Sequence, residues 1–516
     1  MSDNLGNSVI NLKLLIDEEK NKVVFAEAGK DFVDILFSFS TMPMGTIVRL
    51  LEMHQKSKSV AIGCFNNIYG SVASLGMKHF STEASKQMLM YPESLNQEKY
   101  QKLKLVIDDS KATKCYMCPM FVRSGQCSKG YSNFNTSRCS CCGNLMSEVI
   151  QFQGEGGGGR ASGVDGGVFV RSGQTSFIIT DDLKVKVNSV GSTLNVLKDL
   201  GYAGLDKLVE VILDVNLQEV ATLLECLFTS ESPLTDTFLR KKSSHGMKRV
   251  HKTLSHASEE DGGQESKADQ MITLNAYVRK KEGNIIYVEC GEDFVDLLFT
   301  FLAMPLESVW GISGGNGFIL GCIGNLCKSF KELSVDSGRG EASGFKCVLP
   351  HYYKCQKQQL LLDVVTTHKP PTYYRYVSFS VDHFREYRLT GNSGKRLVYD
   401  WDKLVPVTSV DPKCEEGNNT VESSGFVKRG TKFMVTDDLI ITPANSTSTI
   451  KMLRDKQTGL ADVEVRVIKM KKEEVVRLLR ASFATFSALS SGLLGMESAS
   501  TSVPESRFYK KPKIET

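Results

Sequence analysis

A cluster of six cysteines occupies residues 114–144 of a chain of 516 residues that contains 14 cysteines. Cys115 and Cys118 form one Cys-x-x-Cys pair, and Cys139 and Cys142 form a second pair after 20 intervening residues. This spacing is typical of zinc ribbons, because two close pairs can place four sulfur atoms tetrahedrally around Zn²⁺. The stretch therefore predicts a metal site, with a disulfide framework or a catalytic thiol as the alternatives.

Six thiols compete for four positions around one ion. We predict that Cys118, Cys139 and Cys142 bind it and that Cys115 or Cys127 supplies the fourth sulfur. The loop between the two pairs is polar and rich in Gly, Ser and Asn, so a bound metal would supply its order. Unliganded thiols in a chain without metal are the competing interpretation.

The ligands are expected to be sulfur atoms throughout. Residues 92–238 contain no histidine, whereas a catalytic zinc site usually keeps an open position beside His or carboxylate ligands. The cluster therefore favours a structural zinc ion. Cys141 is expected to be spare, and Gly143 is expected to adopt a positive φ that turns backbone amides toward sulfur.

The carboxylate pairs Asp181-Asp182 and Asp437-Asp438 lie in two copies of the sequence TDDL. Neighbouring residues of a strand point to opposite faces, so one pair cannot jointly hold a metal ion or a water molecule. We expect these residues to serve turns or caps. The eight histidines show no partner pattern, so the sequence predicts no catalytic and no cofactor-binding residue.

The elements around these residues occur twice. VVFAEAGKDFVDILFSFSTMP at residues 23–43 matches IYVECGEDFVDLLFTFLAMP at residues 286–305, and VFVRSGQTSFIITDDL at residues 168–183 matches GFVKRGTKFMVTDDL at residues 425–439. The offset between the copies changes only from 262 to 255 residues, and so long a period indicates domain duplication. The second copy has THKPPTYYRYVS at residues 367–378 where the first has cysteines, so we expect no second zinc site.

We predict two homologous domains, residues 1–240 and residues 271–498, of which the first contains the cysteine cluster. A polar segment with basic and then acidic residues, 241–270, is expected to be a flexible linker, and residues 499–516 a flexible tail. The Gly-rich stretch at residues 154–167 lacks the Lys-Ser/Thr of a phosphate-binding loop. It is expected to be a hinge or a surface loop.

Each copy is expected to begin with a β-hairpin, which covers residues 11–29 in the first copy. A helix capped by Asp31 and ended before Pro43 should follow, then a helix at residues 45–54 and a strand at residues 59–65. Further strands and helices follow without strict βαβ alternation. This order predicts an α+β fold with mixed sheets and flanking helices, and with a zinc-ribbon-like excursion in the first copy.

The composition, 41% apolar and 24% charged, is typical of a folded, soluble protein. With 63 basic and 59 acidic residues, the chain has no net field that favours nucleic acid or a membrane. No apolar run is long enough to cross a bilayer, and the N-terminus resembles neither a secretory signal nor a transit peptide. We therefore predict an intracellular protein, cytoplasmic or nuclear and not secreted, in which thiols or metal ligands are more common than disulfides.

Several motifs together resemble a known family. The sequences LKLLIDEEKNKVVFAEAGKDFVDILFSF and IYVECGEDFVDLLFTF, the motif VTDDL and the cysteine run ending in CSCCG look like the plant-specific family called domain of unknown function 674. The resemblance covers nearly the whole chain in two copies, and it implies a land-plant protein from an expanded family without an assigned activity. In that family the last cysteines usually read Cys-x-Cys-Gly and Cys115 is not a regular feature, which favours Cys127 as the fourth ligand.

Duplication without an acid–base constellation favours a non-catalytic interaction or scaffold protein with one structural zinc ion and an unidentified protein partner, and without a membrane partner. Two alternatives stay open. One is an enzyme with its site in the cleft between the duplicated domains. The other is nucleic-acid binding by a basic face beside Cys118 and Cys139. The residues that would form that face are Lys111, Lys114, Arg123, Lys129 and Arg138.

Overall fold

A computed structural model describes residues 9–54, 61–108, 114–152, 167–171, 173–240, 271–314, 321–334, 347–355, 361–362, 364–366, 372–379, 385–394, 403–414 and 425–494. The predicted linker, the predicted tail and all but the last residue of the Gly-rich stretch lie outside these residues. The domain boundaries therefore stay predictions.

The described chain contains helices and strands, in agreement with the predicted α+β class. In chain order, the strands are β1 (Ile10–Asp17), β2 (Lys22–Gly29), β3 (Cys115–Met117), β4 (Gly130–Tyr131), β5 (Glu148–Phe152), β6 (Ser176–Thr180), β7 (Val185–Val187), β8 (Leu208–Val215), β9 (Ile272–Arg279), β10 (Ile285–Cys290), β11 (Val348–Leu349), β12 (Val365–Thr366), β13 (Tyr373–Phe379), β14 (Arg385–Thr390), β15 (Val405–Ser409), β16 (Phe433–Thr436), β17 (Ile441–Pro443) and β18 (Val463–Met470). The α-helices are α1 (Lys30–Thr41), α2 (Met44–His54), α3 (Phe65–Ser74), α4 (Glu83–Met90), α5 (Gln97–Tyr100), α6 (Val190–Asp199), α7 (Leu217–Thr229), α8 (Pro233–Phe238), α9 (Glu292–Ala303), α10 (Leu306–Ile312), α11 (Gly321–Leu333), α12 (Ser446–Asp455), α13 (Lys472–Ala484) and α14 (Ala488–Leu493).

Two five-stranded sheets have the same arrangement in the two halves of the chain. The first has the order β7-β6-β2-β1-β8, and the second has the order β17-β16-β10-β9-β18. Their strand pairs are antiparallel, so the expectation of mixed sheets was wrong for these two. The predicted hairpin at the start of each copy is present as β1 and β2 and as β9 and β10.

A third sheet combines strands from both halves. Its order is β3-β5-β14-β13-β15-β4, in which β3, β4 and β5 precede the predicted linker and the other three follow it. It is mixed, since β14 pairs parallel with β5 and β15 parallel with β4. A bridge between Tyr116 and Ser132, with backbone N–H to O distances of 2.7 and 2.9 Å, joins β3 to the chain just after β4. We call this structure the closed sheet, because the bridge brings its two end strands together.

The helix α3 of the first half packs against the second half. The side-chain amide of Asn67 donates to the carbonyl oxygen of Asp438 at 2.7 Å. The backbone N–H of Ile441, at the start of β17, donates to the hydroxyl of Ser71 at 2.9 Å. Both bonds lie at buried or half-buried positions, where an unpaired polar group would be costly.

The helix α11 of the second half makes the matching contacts with the first half. The side-chain amide of Asn325 donates to the carbonyl oxygen of Asp182 at 2.8 Å. The backbone N–H of Val185, at the start of β7, donates to the hydroxyl of Ser329 at 2.9 Å. Each half thus packs its third helix against the sheet of the other half: α3 contacts the second sheet at β17, and α11 contacts the first sheet at β7.

Apolar packing joins the halves into one core. One hydrophobic cluster of buried side chains runs from β1 to α14 and includes residues from both halves. Phe37 of α1 packs edge-on against Phe330 of α11 with 5.4 Å between ring centroids, and Phe80 stacks on Phe299 of α9 at 6.2 Å. The two predicted domains therefore share a core instead of each enclosing its own.

Several local predictions differ from the structure. The helix α1 begins after Gly29, without a side-chain cap bond, and Asp31 lies in its first turn and does not cap it. The helix ends at Thr41, with Met42 as its C-cap before Pro43, as predicted. The strand expected at residues 59–65 was wrong, because the described part of this segment is a turn that leads into α3. In the described part of the chain, helices long and apolar enough to cross a membrane are absent.

Candidate metal centre

Four of the six clustered cysteines come together in space. The sulfur atoms of Cys118, Cys127, Cys139 and Cys142 all lie within 4.8 Å of one another, and those of Cys118 and Cys142 are 3.4 Å apart. Around a tetrahedral zinc ion with Zn–S distances of about 2.3 Å, the sulfur atoms would be about 3.8 Å apart. The group therefore has the size and the donor set to hold one metal ion.

The first two sulfurs are positioned by the chain that follows β3. The backbone N–H of Met120 donates to the sulfur of Cys118 at 3.4 Å, and the N–H of Phe121 donates to the carbonyl oxygen of Cys118 at 2.9 Å. This tight turn fixes Cys118 just beyond the end of the strand. Cys127 begins a short 3₁₀ helix, Cys127–Lys129, that leads directly into β4.

The last two sulfurs belong to a second tight turn. The N–H of Gly143 donates to the carbonyl oxygen of Cys139 at 3.0 Å, and Gly143 has a φ of +72°. The prediction of a positive φ at this glycine is confirmed. The backbone N–H of Asn144 acts to lower the pKa of the Cys142 thiol, and the N–H groups of Cys141 and Cys142 act to lower that of the Cys139 thiol. These N–H groups favour the thiolate over the thiol, and the thiolate is the form that binds metal.

Burial acts against the thiolate form at the inner positions. Cys118 and Cys139 are buried, and burial raises the pKa of both thiols above the ordinary value. Cys142 is exposed, and the N–H of Asn144 lowers the pKa of its thiol. Several thiolates this close together would repel one another, and a bound divalent cation would remove that repulsion and favour deprotonation of the buried sulfurs.

Cys115 does not join the four sulfurs. It lies on β3, and its buried side chain packs inside the closed sheet with Met117, Phe121 and Tyr131. Burial raises the pKa of its thiol to about 12. The geometry therefore places Cys127, and not Cys115, with the other three sulfurs, and the role of these residues as metal ligands stays a prediction. Cys141 is exposed and also lies outside the group.

The group contacts the second half of the chain. Val410 follows β15, is buried, and packs in one cluster with Cys118, Cys127 and Cys139. Its backbone N–H donates to the carbonyl oxygen of Tyr131 at 2.8 Å. This contact could not be predicted from the sequence, because Val410 is far from the cysteines along the chain. The four sulfurs thus lie where the two halves meet.

Aromatic side chains fill the other part of the closed sheet. Tyr373 of β13 lies 5.0 Å from Tyr131 and 4.7 Å from Phe152, measured between ring centroids. Phe121 packs edge-on against Tyr387 of β14 at 4.9 Å. Both halves thus contribute packed rings to the sheet, and the first half also contributes the cysteine group at its end.

The basic residues proposed for nucleic-acid binding are only partly free for that role. Lys111 lies outside the described residues, and Arg138 donates from its guanidinium to the carbonyl oxygen of Gly143 at 3.0 Å, which supports the second cysteine turn. Lys114, Arg123 and Lys129 are exposed.

The paired aspartates of the TDDL sequences have separate structural partners. Asp181 is buried and accepts hydrogen bonds from the backbone N–H of Thr235 at 2.9 Å and from its hydroxyl at 2.7 Å. Asp182 accepts from the hydroxyl of Thr180 at 2.5 Å, within its own turn. In the second half, Asp437 accepts from the backbone N–H of Ser490 at 2.7 Å. Asp182 thus serves its own turn, whereas Asp181 and Asp437 accept from the first turns of α8 and α14, in agreement with the predicted turn or cap duty.

Two further buried aspartates were not identified from the sequence. Asp34 of α1 accepts three backbone N–H groups, from residues 168, 169 and 170, at 2.7 to 3.0 Å. Asp296 of α9 accepts two, from Phe426 at 2.8 Å and Val427 at 3.1 Å. A carboxylate at the same place in both DFVD sequences, among apolar neighbours, was the signal that could have found them. Each aspartate joins its helix to the chain segment that leads into the strand before the TDDL turn.

The fold and the site define an α+β chain with a four-cysteine group that can hold a metal ion. The sequence model of the family described as Protein of unknown function (DUF674) matches residues 6–473, and the chain therefore belongs to that family. The resemblance seen in the sequence is confirmed to that extent. No curated protein and no solved structure matches the chain.

Proposed function

We propose that Cys118, Cys127, Cys139 and Cys142 bind one structural Zn²⁺ ion in a non-catalytic interaction or scaffold protein that arose by internal duplication. The observation that carries the metal assignment is the convergence of four sulfur atoms within 4.8 Å. All-sulfur tetrahedral sites are typical of structural zinc. Plant origin and an intracellular location stay predictions.

The ion would hold together a segment that has little apolar content of its own. Residues 119–138 lie between the two tight turns and are rich in Gly, Ser and Asn. A metal with four ligands can add to the packing of the few large apolar side chains that this segment buries, Phe121, Tyr131 and Phe134. Because β3 ends just before Cys118 and β4 lies within this segment, the ion would also stabilise the closed sheet in which the two halves meet.

The non-catalytic part of the proposal is supported by the contact between the halves. Where the described residues show that contact, phenylalanines and other apolar side chains of α1, α3, α9 and α11 fill it. The buried aspartates near it each accept backbone or hydroxyl hydrogen bonds. Such groups serve the fold, whereas an enzyme cleft would be expected to present titratable groups to a substrate.

Elemental analysis of the purified full chain tests the metal assignment. We expect one zinc ion per chain in the wild type and a loss of most of it in Cys118→Ser and in Cys139→Ser. Cys141→Ser is the matched control, because this exposed thiol is adjacent to Cys142 but lies outside the group. A folded wild-type chain without bound metal would refute the proposal, and so would equal zinc loss in the control.

A further inference from the structure

Each five-stranded sheet ends in a long strand whose outer edge is not paired with another strand of the described chain. These strands are β8 in the first sheet and β18 in the second. Each pairs with its inner neighbour over eight residues without a break in register. Neither contains proline. Long regular edges of this kind are templates for a further strand, and proteins usually block them with bulges, prolines, short lengths or charged side chains. Of these devices, β8 and β18 have only charged side chains, which block like edges and allow edges of opposite charge to pair.

Both edges expose apolar side chains. On β8, Ile212 is 71% exposed, and on β18, Val465 and Val467 are 59% and 63% exposed. Ile212 and Val467 occupy matching places in the two copies of the sequence, at the offset of 255 residues that relates the ends of the copies. Exposed apolar residues that recur at an unpaired edge in both halves indicate a surface for association.

The charges of the two edges are opposite. The strand β8 carries Glu210 and Asp214 and no basic residue, whereas β18 carries Arg466 and Lys469 with a single acidic residue, Glu464. Glu210 pairs with Lys13 of β1 at 2.9 Å and Arg466 pairs with Glu464, so the difference between the edges rests mainly on Asp214 and Lys469. Pairing of β8 with β8 would bring like charges together, whereas pairing of β8 with β18 would bring opposite charges together. One chain therefore presents both members of a complementary pair, on two different sheets.

We propose that the β8 edge of one chain pairs with the β18 edge of a second copy of the same chain, so that two five-stranded sheets continue into one. The contact is head-to-tail, because it joins two different surfaces. Each copy keeps one free β8 edge or one free β18 edge, so association continues into a ring or a longer assembly. The inference goes beyond the metal site and is independent of it, because both edges lie in sheets that do not contain the cysteine group.

Sedimentation velocity of the full, metal-loaded chain over a wide concentration range tests this proposal. We expect the average mass to rise with concentration and to fall as salt screens the charges. Ile212→Lys should weaken association roughly tenfold or more, because it places an unpaired charge in an apolar contact. Val190→Lys is the matched control, since Val190 is 80% exposed on α6 and lies away from both edges. It should associate like the wild type.

Charge reversal distinguishes the proposed pairing from other contacts. Asp214→Lys and Lys469→Glu should each weaken association about threefold or more, and the chain that carries both changes should recover it. A monomer at all concentrations overturns the proposal. So does association that neither reversal changes, or association that appears only after removal of residues 495–516, which would mean that this segment of the same chain covers an edge.

Discussion

The two halves of the chain contribute to the closed sheet by different means. The first half supplies β3, β4 and β5 with a group of four sulfurs at one end, and the second half supplies β13, β14 and β15 with packed tyrosine rings. The first half also contributes the buried rings of Phe121 and Tyr131, so its four sulfurs add to apolar packing and do not replace it. The rings of Tyr373 and Tyr387 from the second half are partly buried and pack against the same cluster. The comparison indicates that one half of the described chain contributes the four-cysteine group, and that the other half contributes a buried side chain, Val410, that packs against it.

Removal of a grouped sulfur should have the largest effect on this arrangement. We expect Cys139→Ser to lower the free energy of unfolding by about 5 kcal/mol, because it removes the energy of metal binding that the folded chain gains. Cys115→Ser should cost only about 1–3 kcal/mol, since it places a hydroxyl in an apolar interior without loss of metal. Urea unfolding of metal-loaded chains measures both. Equal costs would contradict the assignment of Cys115 to the sheet interior.

Removal of a packed ring should come next. Phe121 is buried between Tyr387 and the guanidinium of Arg375, whose centre lies 5.4 Å from the Phe121 ring centroid. Phe121→Ala should cost about 3–4 kcal/mol in urea unfolding. The zinc content should stay at the wild-type level, because no ligand changes. The neighbouring variant Val122→Ala is the control, since Val122 is 59% exposed and its loss should cost less than about 0.5 kcal/mol.

The buried aspartates of α1 and α9 allow a sharper comparison of the two halves. Both oxygens of Asp34 accept backbone N–H groups, whereas the two N–H groups at Asp296 share the same oxygen, Oδ1. An asparagine offers one acceptor oxygen, so Asp34→Asn should cost about 2 kcal/mol and Asp296→Asn little at neutral pH. Urea unfolding at neutral pH measures the difference. A larger cost at Asp296 would contradict it.

The same residue predicts a pH dependence. Burial raises the pKa of Asp296 to about 7, above the ordinary value of an aspartate. The folded chain then holds this proton more tightly than the unfolded chain does, so the contribution of Asp296 to stability falls as pH rises from about 4 to about 7. Stability measured at several pH values should show this fall in the wild type and a weaker fall in Asp296→Asn. Identical profiles for the two chains would contradict the assignment.

The exchanged helices should give the smallest and most symmetrical effects. Ser71 and Ser329 each accept one backbone N–H from the other half at 2.9 Å. Ser71→Ala and Ser329→Ala should each lower the free energy of unfolding by about 1 kcal/mol, because each leaves one buried N–H without its acceptor. Costs that differ by more than twofold would mean that the two halves are not held together in the same way.

Elements with a clear local signal were predictable from the sequence. The alternation in β1 set a strand, and the proline at residue 43 set the end of α1. The segment at residues 59–65 was predicted wrongly, because a short apolar run reads the same at the start of a buried helix as in a strand. Exchange of α3 and α11 had no local signal, since either half could have closed on its own helix.

The presence of a cysteine group was predictable from the sequence, whereas the identity of its four members was only partly predictable. Spacing identified both tight turns and the role of Gly143. It left Cys115 and Cys127 as alternatives, because the choice depends on which way β3 faces, and that is decided by its pairing with β5 and by the strands from the second half. The contact of Val410 with the sulfurs depends on the same long-range pairing.

The packing of α3 and α11 against the opposite halves has a consequence for the covalent connection between Arg240 and Met271. Each half has an apolar surface that a helix of the other half covers. The peptide link therefore keeps the two halves in equal numbers, while non-covalent contacts hold them together. A protease that cuts this link should yield two polypeptides that elute together in native buffer and separate in denaturant.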